Sequence, residues 1–213
     1  MTKKLFARCL LMLAVFLTPA AGFAAGETLP PDELVRNVTN EVLTIVRGDK
    51  SLQAGNTGKV LALVEEKVLP HFNFRRMTSL AVGPGWRTAN PEQQERLTTA
   101  FRTLLVRTYS NALTQYRDQT IDVKPLRGNL DAKGTRVGTE VRQPGAQPIA
   151  IDYMLEQGGQ GWKVFDVTVA GVSLVTNYRS SFAEEINTKG IEGLIASLEA
   201  KNKSLETEQG GKK

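Results

Sequence analysis

The sequence predicts an α+β domain in which amphipathic helices precede a four-stranded antiparallel sheet and two further helices follow it. Three observations carry this. Apolar residues recur at helical spacing from about residue 30 to 117. The pattern then switches to alternation between residues 120 and 170. The links between the alternating runs are too short for crossover connections, so the strands must form a meander.

The elements follow in order. Pro31 suits a first helical position and Asp32 the positive end of a helix dipole. Leu34, Val35, Val38, Val42, Ile45 and Val46 then mark one face of a helix that Gly48 ends. A second helix spans about 59–69 before Pro70, and a third spans about 73–82 before the Gly83-Pro84-Gly85 turn. The longest helix starts at Asn90, a good cap, followed by Pro91 and Glu92. Its face of Leu97, Phe101, Leu104, Leu105, Tyr109, Leu113 and Tyr116 predicts a helix to about 117, roughly 40 Å long at 1.5 Å per residue.

The strands are predicted at 120–127, 135–143, 148–157 and 162–170, separated by Gly128-Asn129, Pro144-Gly145 and Gly158–Gly161. On the third, Ile149, Ile151, Tyr153 and Leu155 face one way and Ala150, Asp152, Met154 and Glu156 the other. On the fourth, alternation places Phe165, Val167 and Val169 opposite Trp162, Val164, Asp166 and Thr168. Helices at 173–188 and 191–203 flank Gly190, and the polar stretch 206–213 is expected to be disordered.

Residues 1–24 read as a secretory signal peptide: Lys3, Lys4 and Arg8, then a short apolar run, then Pro19 and the small residues Gly22 and Ala24. The domain proper is expected over 25–205. Three of the 27 basic residues lie in the leader and none of the 22 acids does, which leaves a mature net charge of +2. So weak a charge argues against a nucleic-acid binder. The single cysteine, Cys9, lies in the leader, so the exported chain is thiol-free and must rely on an apolar core.

Catalytic chemistry is sparse. The single histidine, His71, sits between two helices and reads as a surface or packing residue. Without mature cysteine and with one histidine, the usual thiolate and zinc sites have no ligands, and no serine occupies a G-x-S-x-G elbow. Gly55–Lys59 lacks the spacing of a phosphate loop. Glu140, Asp152 and Asp166 lie on strands, where a solvated sheet face is the ordinary role. What remains is an apolar sheet face opposite apolar helix faces. These form either a filled core or the walls of a cavity for an apolar ligand, and composition does not separate the two.

One segment separates them further. Residues 161–182, GWKVFDVTVAGVSLVTNYRSSF, resemble the signature of the periplasmic phospholipid-binding proteins of the Mla (maintenance of lipid asymmetry) system, also called the toluene-tolerance auxiliary family. The match includes Trp162, Asp166, Gly171, Ser173, Tyr178, Arg179 and Phe182, and FRTLLVRTYSNAL (101–113) and GIEGLIASL (190–198) support it.

The resemblance implies a curved antiparallel sheet similar to nuclear-transport-factor-2-like folds, covered by helices, with a lipid cavity between. It implies a carrier, not an enzyme, that moves phospholipid between outer and inner membranes and maintains outer-membrane lipid asymmetry. The implied partners are an inner-membrane ABC transporter complex with an MCE-domain ring and an outer-membrane lipoprotein–porin complex. Phospholipid is the cargo, and no cofactor or metal is implied. The candidate lipid-facing residues are Ile149, Ile151, Tyr153, Leu155, Phe165, Val167 and Val169 on the sheet, faced by Leu105, Tyr109, Leu113 and Tyr116 on the long helix. Asp166 and Arg179 read as polar groups that hold the turn after the fourth strand. A periplasmic chaperone sheltering apolar polypeptide is the alternative from another class, and an enzyme using the same cavity is a third.

Overall fold

The computed structural model describes residues 29–115, 119–126 and 128–210. The expected signal peptide and Tyr116 lie outside the described residues.

Helix α1 (Pro31–Gly48) begins at Pro31 as expected, with Asp32 and Glu33 in its first turn. The Asp49 carboxylate ends the linker by accepting from Ser51 N at 2.8 Å, which caps a short helix α2 (Lys50–Gln53). Asn56 caps α3 (Thr57–Leu63) through Lys59 N at 3.0 Å. The chain then widens into a π-helical turn (Val64–Val68) and tightens into a 3₁₀ turn (Leu69–His71) around Pro70. Asn73 caps α4 (Phe74–Val82), and a single turn, α5 (Gly85–Thr88), leads to α6 (Pro91–Tyr109). In α6 Asn90 and Gln93 form a reciprocal capping box.

The long helix is shorter than its apolar face predicts. It ends at Tyr109 and continues as a 3₁₀ segment, Ser110–Gln115. The run Thr108-Tyr109-Ser110-Asn111 supplies four weak helix formers in succession, which favours the tighter winding at the end.

The sheet is an open antiparallel meander with strand order β1-β2-β3-β4-β5. Its strands are β1 (Thr120–Val123), β2 (Thr135–Arg142), β3 (Ile149–Gly158), β4 (Gly161–Val169) and β5 (Val172–Ser173). The fifth strand departs from the four expected. It is two residues long and arises because Ala170 (φ 49°) and Gly171 (φ 85°) make a tight hairpin with both central residues left-handed. At the opposite end of β4 the edge is covered by Phe72 and Asn73, whose backbone N–H donates to Val164 O at 2.8 Å.

The alternation expected on β4 breaks at a β-bulge. Leu155 pairs with Val164 while Met154 pairs with Asp166, so Phe165 is an extra residue with no partner on β3. Trp162 and Val164 therefore share the inner face with Val167 and Val169. Phe165 turns to the other side, into the helical core.

Helix α7 (Leu174–Gly210) contains both expected C-terminal helices, kinked at Gly190. Residues 206–210 of the stretch expected to be disordered continue this helix, and 211–213 lie outside the described residues. The last turns lie along α6: Leu205 packs on the helical core, Asn202 Nδ2 donates to Ala100 O at 2.8 Å, and Gln209 Nε2 donates to Arg107 O at 2.8 Å.

Three apolar clusters result. Helices α4, α6 and α7 bury Met77, Leu97, Phe101, Phe182 and Ile195 together with Phe165. The inner sheet face buries Val123, Val137, Leu155 and Trp162 against Val35 of α1. Helices α1, α2 and α3 bury Val46, Leu52 and Val60.

Candidate functional site

Where these clusters meet, they leave an apolar cavity of about 310 Å³. This lies at the lower end of the range for sites that engulf small organic ligands. Helix α1 forms one wall with Leu34, Val38, Thr39 and Val42. The irregular segment before α4 forms the next, with Val64, Val68, Leu69, His71 and Phe72, followed by Phe74 and Met77. The end of α6 and its 3₁₀ extension contribute Leu105, Val106, Tyr109, Ser110 and Leu113. The sheet closes the cavity with Ile121, Tyr153, Val164 and Val167, and Leu174 opens α7 beside it.

Five of the residues expected to face a ligand meet in this lining: Leu105, Tyr109, Leu113, Tyr153 and Val167. Others take different places. Leu155 is fully buried among sheet residues, and Ile151 and Val169 pack against the same cluster. Phe165 sits in the helical core because the bulge rotates it there. Ile149 is the first residue of β3 and is 48% exposed. The walls that sequence reasoning missed are α1 and residues 64–72. The 34-38-42 spacing of apolar residues on α1 signals a buried face, but the same pattern would serve a filled core.

The polar groups of the lining carry no fixed charge. The Tyr153 hydroxyl is hydrogen-bonded to Thr139, and burial pushes its pKa up. Tyr109 is hydrogen-bonded to Tyr178, whose phenol is pushed up to about 12, first by burial and then by Tyr109. Burial, then the charge of Lys163, hold the His71 imidazole below its ordinary value against an opposing pull from Glu41, which leaves it neutral at pH 7. Ser110 Oγ is buried and has no hydrogen-bond partner among the described residues. Such a lining suits a ligand part that is apolar and uncharged.

The other groups weighed for chemistry are occupied structurally. Glu140 pairs with Lys124 at 3.0 Å and Arg142 at 2.6 Å, and Asp152 pairs with Arg136. Asp166 holds the turn after β4 as expected, accepting from Val167 N at 2.8 Å, Ser173 Oγ at 2.6 Å and Val175 N at 3.2 Å. Arg179 does different work: its Nε and Nη2 donate to Leu80 O at 3.0 and 2.9 Å and clamp α7 to α4. In the Gly55–Lys59 loop the Lys59 ammonium bonds the Asp49 carboxylate at 2.9 Å. Among the described residues no cluster of three His, Cys, Asp or Glu side chains is arranged to hold a metal ion, and no helix is long and apolar enough to cross a membrane.

A family model described as MlaC protein matches residues 36–200. The chain belongs to the MlaC family. Among its relatives, the intermembrane phospholipid transport system binding protein MlaC of Haemophilus influenzae is 24% identical over 200 residues, covering 92% of each chain. The toluene tolerance protein ttg2D of Pseudomonas putida is 29% identical over 161 residues, covering 75% of this chain and 74% of its own. In three dimensions the chain is similar to a phospholipid-binding protein from Ralstonia solanacearum solved in complex with a phospholipid. That match has a TM-score of 0.78 at 36% identity and covers 84% of this chain and 99% of the other. This member of the MlaC family is thus an open antiparallel sheet packed against helices, with an apolar cavity at their junction.

Proposed function

We propose that this protein is a periplasmic carrier that takes the acyl chains of a phospholipid into the cavity between sheet and helices and ferries the lipid between outer and inner membranes, maintaining outer-membrane lipid asymmetry. The observation that carries the reading is an apolar cavity with no fixed charge in a chain 36% identical to a protein solved with phospholipid. The physics requires such a shelter. Two acyl chains carry about 30 methylene groups at about 0.8 kcal/mol each, so exposing them to water costs on the order of 20 kcal/mol. Unaided diffusion of a monomeric lipid through water is therefore negligible.

In this reading the protein performs no covalent chemistry and needs no metal or cofactor. Its docking partners are an inner-membrane ABC transporter complex with an MCE-domain ring, and an outer-membrane lipoprotein–porin complex. The leader directs the chain through the inner membrane and is then removed. Native mass spectrometry of the protein purified from the periplasm, followed by lipid extraction, tests the central claim. Stoichiometric diacyl phospholipid is expected. A protein that is isolated without lipid under non-denaturing conditions, and takes none from phospholipid vesicles, overturns it in favour of the chaperone reading.

A further inference from the structure

We propose that Ser110 is the polar hook of the cavity: its hydroxyl donates a hydrogen bond to an ester carbonyl oxygen of the bound phospholipid. The inference rests on the carrier reading and adds the atom of the lipid that this chain recognises.

Ser110 is 5% exposed, lines the cavity, and its Oγ has no partner among the described residues. A serine at the end of a helix ordinarily satisfies its hydroxyl on a carbonyl one turn earlier. Here Val106 O receives the Ser110 backbone N–H and the hydroxyl stays out of that bond. The two lining phenols differ, since Tyr109 is bonded to Tyr178 and Tyr153 to Thr139. A buried hydroxyl without a partner destabilises the fold that contains it, so its retention in an apolar wall points to a partner that arrives with the ligand.

The chemistry of the lining selects which part of the ligand that is. An anionic or zwitterionic head group would need fixed charge, and the lining offers only a neutral His71. The head group therefore remains in water, and the chains fill the apolar walls. Between them lie the ester carbonyls, which accept hydrogen bonds and cannot donate them. A hydroxyl free to donate is the complement of such an acceptor. The neighbouring lining residue, Tyr109, is 39% exposed, so the wall reaches solvent one residue from Ser110, which is itself buried.

The test uses the full mature protein and vesicles holding equal amounts of diacyl phosphatidylethanolamine and its dialkyl-ether analogue, which lacks the carbonyls. Native mass spectrometry reads the ratio of the two lipids bound. The wild type is expected to favour the ester lipid about 5-fold, the size of one net hydrogen bond. Ser110→Ala should bring the ratio to about 1 while still binding lipid, and its delipidated form should be at least as resistant to urea as the wild type. Ser110→Cys, near-isosteric and a weak donor, serves as the second variant and should fall between. A wild-type ratio near 1, or a preference that survives in both variants, overturns the hook and leaves the carrier reading intact. Absence of both lipids from the wild type overturns the carrier reading itself.

Discussion

His71 is the basic residue of the cavity wall, and its surroundings give it a defined pH dependence. Burial and Lys163 lower its pKa, while Glu41 pulls the other way and loses. With a folded pKa below the unfolded value of about 6.5, the unfolded chain binds more protons in the window beneath that value. The stability associated with neutral His71 is thus present above about pH 6.5 and is lost as pH falls through the folded pKa. Urea midpoints at pH 7.5 and 5.5 should therefore drop more in the wild type than in His71→Gln. Equal drops would show that His71 gains no penalty on folding. The residue was visible in the sequence as the single histidine, but its environment was not, because Lys163 lies 92 positions away and approaches through the fold. Asp166 is the reverse case. Its role could be read from sequence because its partners, Val167, Ser173 and Val175, are all within nine residues.

Elements were legible where local rules decide them and not where pairing does. The cap at Asn90, the proline at the first helical position 31 and the alternation of β3 placed helix starts and a strand within a residue or so. The bulge at Phe165 is a property of two strands together, so alternation read along β4 alone put Phe165 on the wrong face and Trp162 and Val164 with it. The kink in α7 was marked in sequence by Gly190, and its backbone explains why glycine is required. With φ 71° and ψ −177° it lies in a region essentially reserved for glycine, and a Cβ there would meet nothing within 4 Å. The penalty for Gly190→Ala is therefore backbone strain alone, about 1–3 kcal/mol. Urea unfolding should show that loss. A change below about 0.5 kcal/mol would mean the two halves of α7 straighten at no cost, and that the kink does not set how Leu194, Ile195 and Leu198 enter the helical core.

At the scale of the molecule the cavity is what remains when three clusters pack around a common junction without filling it. Each helix and strand reports which of its faces is apolar. None reports whether the facing surfaces meet, which is why the lining was legible in part and the gap was not. The distinction is measurable by adding volume. Leu97 is fully buried between helices, where interiors are packed at crystal-like density, so Leu97→Trp should destabilise by about 1–3 kcal/mol or more as neighbours are forced from their rotamers. Leu113 lies on the cavity wall, half-buried, with about 310 Å³ of space before it. Leu113→Trp can direct its extra bulk into that space and should leave the urea midpoint of the delipidated protein unchanged or raised. The same variant should take up little lipid from vesicles and transfer little between them, because the indole occupies the volume the acyl chains need. A fold lost on Leu113→Trp would place that residue in ordinary core. A folded variant with wild-type lipid content would place the chains along another surface, and the exposed strip at Ile149 and Val172 would then be the next face to block.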